Sequence, residues 1–236
     1  MSEIITFQNV NLRIQQKKIL DRINLKIFQN ERVAIFGKSG SGKSTLLKMI
    51  VGGYVPTTGK ILFRQTPVSA QTIGGVRQSV AFIGQEPVIG AETVRAGLLL
   101  PFHYQANAHL FPADSLVEQT LRNLELSADI LNQKVNSISG GEKQRIAIAR
   151  SLLLKKDIFL LDEITSALDA ESKAAVLKLL CLDNKYTILS VTHDQEWLRH
   201  CQRFIEIEAG HIKADFTDFH SVGQVSDFTR NQINSK

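Results

Sequence analysis

At 236 residues the chain can form one large domain or two small ones, and 43% apolar with 22% charged residues is ordinary globular composition. A net charge of +5 suits an anionic ligand or lipid surface but is too mild to make nucleic acid an expected direct partner. No run approaches the ~20 apolar residues of a membrane-spanning helix.

The opening MSEIITFQNV lacks a basic segment followed by an apolar run, so no signal peptide is expected. IITFQN, INLKIF and RVAIF are rich in β-branched and aromatic residues and read as an antiparallel β entry layer. From residue 37 the pattern becomes glycine loop, helix (KSTLLKMIVG), turn (VPTTG) and strand (KILFR), the opening of an α/β sheet. SVAFIG, DIFLLD and YTILSVT are short apolar runs ending in polar or glycine residues, as buried parallel strands with ligands at their C-terminal ends do. Roughly 86–150 reads as an inserted helical subdomain, carried by TVRAGLLL, SLVEQTLRNLEL and GEKQRIAIARSLLL. Strong periodicity ends near 213, leaving 214–236 as a loosely docked tail. Cys181 and Cys201 lie outside any CxxC or metal-like spacing and read as reduced thiols of a cytosolic protein.

GKSGSGKST at 37–45 fits the phosphate-binding pattern G-x-x-x-x-G-K-[ST] and stands between an apolar strand and a helix, the context that pattern requires. Gly37, Lys38, Ser39, Gly40, Ser41 and Gly42 form a loop whose amides can turn toward phosphate oxygens, aided by the positive end of the following helix. Lys43 is expected to reach the β- and γ-phosphates, Ser44 to offer its hydroxyl to Mg2+, and Thr45 to touch the α-phosphate. IFLLDE ends a buried strand on Asp162 and Glu163, carboxylates that are costly there without a cationic or hydrogen-bonding partner. Asp162 is the candidate Mg2+ holder through water, and Glu163 the general base for an attacking water. SVTHD places His193 where it could donate to a γ-phosphate, although a lone histidine is more often structural. FIGQEP leaves Gln85 at a strand end, able to offer an amide oxygen to Mg2+.

SISGGEKQR at 137–145 admits two readings at once. Ser139 followed by Glu142 is a capping box that starts a helix. Gly140 and Gly141 are poor residues for a helical turn, so they also suit a place where an outside phosphate approaches bare amides.

In this order the set resembles the ATP-binding cassette family: Walker A at 37–45, Gln85, signature SGGEKQR, Walker B IFLLDE, SALD and His193, over about residues 1–213. The resemblance implies an α/β P-loop NTPase with a RecA-like core, an antiparallel β subdomain and an inserted helical subdomain. It also implies a homodimer paired head to tail, with Ser139, Gly140 and Gly141 meeting the nucleotide bound by the partner. Asp169 then lies on a loop that communicates across the pair. Where the family places an aromatic residue against adenine, this chain has Ile14, which forfeits stacking energy of ~1 kcal/mol. The usual proline after the Walker B glutamate is Ile164, and the signature's common glutamine is Glu142.

These features look most like small bacterial ATP-binding subunits assigned to iron export. The expected role is an ATPase subunit, using ATP and Mg2+, that powers a separate transmembrane permease from the cytoplasmic face of the inner membrane. The alternative is a cassette ATPase that regulates membrane or nucleic-acid machinery without transport. A small-molecule P-loop kinase would leave Ser139 to Gly141 unexplained.

Overall fold

The computed structural model describes residues 2–182 and 185–217. In chain order its elements are β1 (Glu3–Ile14), β2 (Lys17–Phe28), β3 (Arg32–Phe36), α1 (Lys43–Ile50), β4 (Thr58–Phe63), β5 (Thr66–Pro67), α2 (Ile73–Ser79) and β6 (Val80–Ile83). There follow α3 (Val94–Leu99), α4 (Asp114–Arg122), α5 (Gly140–Leu153), β7 (Ile158–Asp162), α6 (Ala170–Cys181), β8 (Thr187–Val191), α7 (Gln195–Arg199), β9 (Arg203–Glu208) and β10 (His211–Phe216). The described residues fall into two compact units, one made of 2–82, 158–162 and 185–217, the other of 83–157 and 163–182.

The first unit contains a four-stranded sheet, β2-β1-β4-β5. In β2 the side chains of Ile23, Leu25 and Ile27 point into the core while Arg22, Asn24 and Lys26 face water, the alternation of an antiparallel strand with one wet face. A six-stranded sheet has the order β10-β9-β3-β8-β7-β6, with β3 running parallel to both β8 and β9, and β7 parallel to β8. Residues 33–36 of β3 and every residue of β7 and β8 are buried, which suits strands covered on both faces.

Two strands sit in sheets other than those expected from sequence. RVAIF, read as part of the antiparallel entry layer, is β3 at the heart of the parallel sheet. Its unbroken buried run lacks the alternation of β2. KILFR, read as opening the α/β sheet, supplies β4, which pairs antiparallel with β1 (Phe7 opposite Ile61). Thr58, Gly59 and Lys60 are exposed, which a central parallel strand does not tolerate.

The second unit carries the helices α3 to α6. It includes α6, where the sequence reading closed the helical region near residue 150. At the far end, β10 continues three residues past 213. Phe216 packs edge-on against Phe36, with ring centroids 6.2 Å apart, and stacks on Phe204 at 5.8 Å. The rest of the expected tail, from 218 onward, lies outside the described residues.

Candidate functional site

In the first unit, β3 delivers the chain directly into the phosphate-binding loop. Gly37 has φ +138°, and a Cβ there would run into the carbonyl oxygen of Ile207 on β9, so the loop's entry admits only glycine. Lys38, Ser39 and Gly40 are exposed at the crest. The Ser41 amide donates to Lys38 O (3.2 Å), and Ser41 O accepts from the Gly210 amide (3.1 Å), so the β9–β10 turn braces the loop from behind. Ser41 Oγ is buried with no hydrogen-bond partner among the described residues. A buried hydroxyl in that condition is costly unless a ligand oxygen supplies the missing bond.

After Gly42, Lys43 begins α1. Its Nζ donates to Gly37 O at 2.8 Å and Lys38 O at 2.9 Å, which folds the ammonium over the loop although the residue is only 6% exposed. The first amides of α1, including those of Ser44 and half-buried Thr45, form the positive end of the helix. Ser44 Oγ donates to Asp162 Oδ1 at 2.8 Å. This pair sets a hydroxyl and a buried carboxylate side by side, a hard-oxygen donor set that fits Mg2+.

β8 lies between β3 and β7, so the loop after β3, the residues after β8 and the end of β7 occupy one edge of the sheet. Thr192 donates its amide to Ile35 O at 3.3 Å, and the next residue, His193, is exposed. Asp194 then caps α7 through the Trp197 amide (2.9 Å). Ile14 is at the tip of the β1–β2 hairpin, opposite Lys17 and 38% exposed.

The second unit holds the remaining candidates. Glu163 has φ +54°, an uncommon backbone for a non-glycine residue, and its carbonyl accepts from both the amide (3.4 Å) and the hydroxyl (2.9 Å) of Ser166. Gln85 is exposed two residues past β6, and its carbonyl accepts from Gln144 Nε2 at 3.0 Å. The capping box at α5 is complete: Ser139 Oγ accepts from the Glu142 amide (3.2 Å) and Glu142 Oε2 accepts from the Ser139 amide (2.7 Å). Asp169 caps α6 through the Ser172 amide (2.8 Å), and that bond holds its carboxyl below the ordinary carboxylate range.

The two signature glycines differ. Gly140 is exposed, and a Cβ on it would meet Ala167 Cβ at an ordinary 3.7 Å. Gly141 is buried, and its Cβ would fall 2.5 Å from Ala167 O. At Gly141 the chain's own backbone thus requires glycine, apart from any outside group that approaches the amide. Sequence reasoning also passed over Gln144 and the hairpin turn at Ala209–Gly210. The turn carried a signal in its glycine between two apolar runs, whereas Gln144 carried none. Among the described residues no group of three or more His, Cys, Asp or Glu is arranged to hold a metal, and no helix is long and apolar enough to cross a membrane.

A glycine loop opening α1 and a buried carboxylate hydrogen-bonded to that helix's first turn define a P-loop nucleotide site. The ABC transporter family matches residues 20–166, and the chain belongs to that family, as an ATP-binding ATPase cassette of transporters. The chain is 34% identical to the probable iron export ATP-binding protein FetA of Escherichia coli K12, over 88% of this chain and 92% of that one. It is 32% identical to the energy-coupling factor transporter ATP-binding protein EcfA1 of Staphylococcus epidermidis, over 89% of this chain and 80% of that one. The macrolide export ATP-binding/permease protein MacB of Campylobacter jejuni is 34% identical over 90% of this chain, which spans 34% of that longer protein. Among solved structures, the ATP-binding cassette MJ0796, a dimer in a post-hydrolysis state bound to ADP and Pi, matches with a TM-score of 0.79 at 29% identity. That match covers 91% of this chain and 98% of the other.

Proposed function

We propose that this chain hydrolyses ATP in head-to-tail pairs to drive iron export through a separately encoded permease, docked at the cytoplasmic face of the inner membrane. The observation that carries the reading is the 34% identity to the probable iron export ATP-binding protein, a likeness that runs over 92% of that protein's length.

The phosphates of ATP lie along 37–45 in this reading, with Lys43 on the β- and γ-phosphates, Ser41 completing its missing hydrogen bond, and Thr45 on the α-phosphate. Ile14 offers an aliphatic face to the base. Ser44, Asp162 and Gln85 would hold Mg2+, which supplies charge neutralisation to the β- and γ-phosphate oxygens. Glu163 takes a proton from water as its oxygen attacks the γ-phosphorus. The bond from that phosphorus to the β,γ-bridging oxygen breaks, and ADP leaves with the electron pair. His193 donates a hydrogen bond to the γ-phosphate. Ser139, Gly140 and Gly141 close over the partner's γ-phosphate, with Asp169 on the loop beside them.

Iron selectivity resides in the permease. Cells lacking this protein are expected to accumulate iron and to become sensitive to iron and peroxide, with rescue by wild type and none by Glu163→Gln. Unchanged iron content and tolerance, with the permease expressed, would overturn the iron assignment and leave the ATPase untouched.

A further inference from the structure

Gln144 is fully buried on α5, five residues beyond the signature serine, yet it carries two polar atoms into the interior. Its Nε2 donates to Gln85 O at 3.0 Å, across 59 positions of sequence, and its Oε1 has no hydrogen-bond partner among the described residues. An apolar residue of that volume would avoid the cost of the unsatisfied oxygen, so packing alone does not account for glutamine here. Six residues further along the same helix, Arg150 makes a second set of ties to the segment that follows Gln85. Its guanidinium donates to Ile89 O (3.2 Å), Val88 O (3.3 Å) and Gly97 O (3.5 Å). The segment from 85 to 97 is thus fastened by backbone carbonyls to the helix whose N-terminus is the signature.

We infer that Gln144 is a positioning residue that fixes the backbone at Gln85, and so sets how the Gln85 amide oxygen is presented as a ligand for a divalent cation. Arg150 holds the rest of the segment in the same register. This rests on the assignment of Gln85 as a cation ligand made above. The bond also gives the signature helix a mechanical hold on Gln85. A displacement of the α5 N-terminus would reach Gln85 through one amide rather than through the loop between them.

The test uses Gln144→Met, which keeps the volume and removes the donor, with Gln144→Asn as a polar variant whose shorter side chain falls short of Gln85 O. Each full-length variant is loaded with a non-hydrolysable ATP analogue, and Mn2+ affinity is read by electron paramagnetic resonance. Both variants are expected to bind Mn2+ about tenfold more weakly, the usual effect of removing a group that orients a metal ligand. Affinity for the analogue without cation should stay within about twofold. Amide hydrogen exchange over residues 85–89 should accelerate, and turnover should fall with little change in KM for ATP at saturating Mg2+. Gln85→Ala should weaken Mn2+ similarly, and adding Gln144→Met to it should cost nothing more. Wild-type Mn2+ affinity in both Gln144 variants, with Gln85→Ala impaired, would overturn the positioning role alone. Wild-type affinity in Gln85→Ala would instead overturn the assignment of Gln85 on which the inference stands.

Discussion

Substituting the two signature glycines one at a time separates what the fold requires from what a ligand requires. At Gly140 a methyl group meets Ala167 Cβ at 3.7 Å, an ordinary contact, and alanine gains helix propensity over glycine. In a first turn that gain is about 0.5 kcal/mol, so Gly140→Ala should be neutral or slightly stabilising. At Gly141 the same methyl would sit 2.5 Å from Ala167 O, and the α5 start and the Ala167 backbone must separate by roughly 0.9 Å to restore a 3.4 Å contact. Neither side is a flexible side chain, so the overpacking cost of about 1–3 kcal/mol applies, and the propensity gain offsets only part of it. A net loss of about 1.5 kcal/mol lowers the urea midpoint by about 0.5 M at a slope of about 3 kcal/mol/M. The assay is urea unfolding followed by far-UV circular dichroism without nucleotide, paired with steady-state ATPase measurement. Gly140→Ala is the decisive variant: it should fold as well as wild type and yet lose turnover, because its methyl occupies the exposed approach to the helix amides. Normal turnover in Gly140→Ala would refute the idea that an outside phosphate comes to that backbone, leaving the capping box as the whole explanation of the motif. Equal stability of the two alanine variants would refute the steric account of Gly141.

Glu163→Gln should keep ATP binding and lose roughly 10²–10⁴-fold in turnover, since the amide preserves shape but cannot accept the water's proton. Size measurement with ATP and Mg2+ should show a trapped dimer, and normal turnover would remove Glu163 from its role. Ser139→Arg should bind ATP through its own loop but fail to close over a partner's nucleotide. Mixing it with Lys43→Ala should restore part of the hydrolysis through one composite site, and no recovery in verified heterodimers would count against pairing in trans. If Ile14 faces the base as proposed, the contact lacks an aromatic face, so GTP should compete with ATP at comparable affinity. A strong ATP preference that survives Ile14→Ala would place adenine recognition elsewhere.

What could be read from the sequence follows from how far each feature reaches along the chain. The phosphate loop is contiguous: its glycines, lysine and hydroxyls are neighbours in sequence because successive amides do the wrapping, so nine residues announce it. The capping box at Ser139 and Glu142 is equally local, and both of its hydrogen bonds are present. Sheet membership is not local. RVAIF and KILFR have similar composition, and only the choice of partner, β8 and β9 for the first and β1 for the second, tells a central parallel strand from an antiparallel one. A run of apolar residues states that it will be buried without stating by what. The same limit explains α6, where Asp169 followed by AESKAAVLKLLC holds a cap and an apolar stripe (Val176, Leu177, Leu180) that a reading fixed on the SALD motif passed over. It explains Gly37 as well. The motif says that glycine belongs there, but the oxygen that excludes a side chain comes from Ile207, near the other end of the described chain. Gln144 is the extreme case, since nothing about a glutamine in SGGEKQR marks it as buried or names Gln85 O as its acceptor. The local code therefore reports the surfaces that touch a ligand, and the tertiary contacts that hold those surfaces at the right distance are written in residues whose partners only the fold can name.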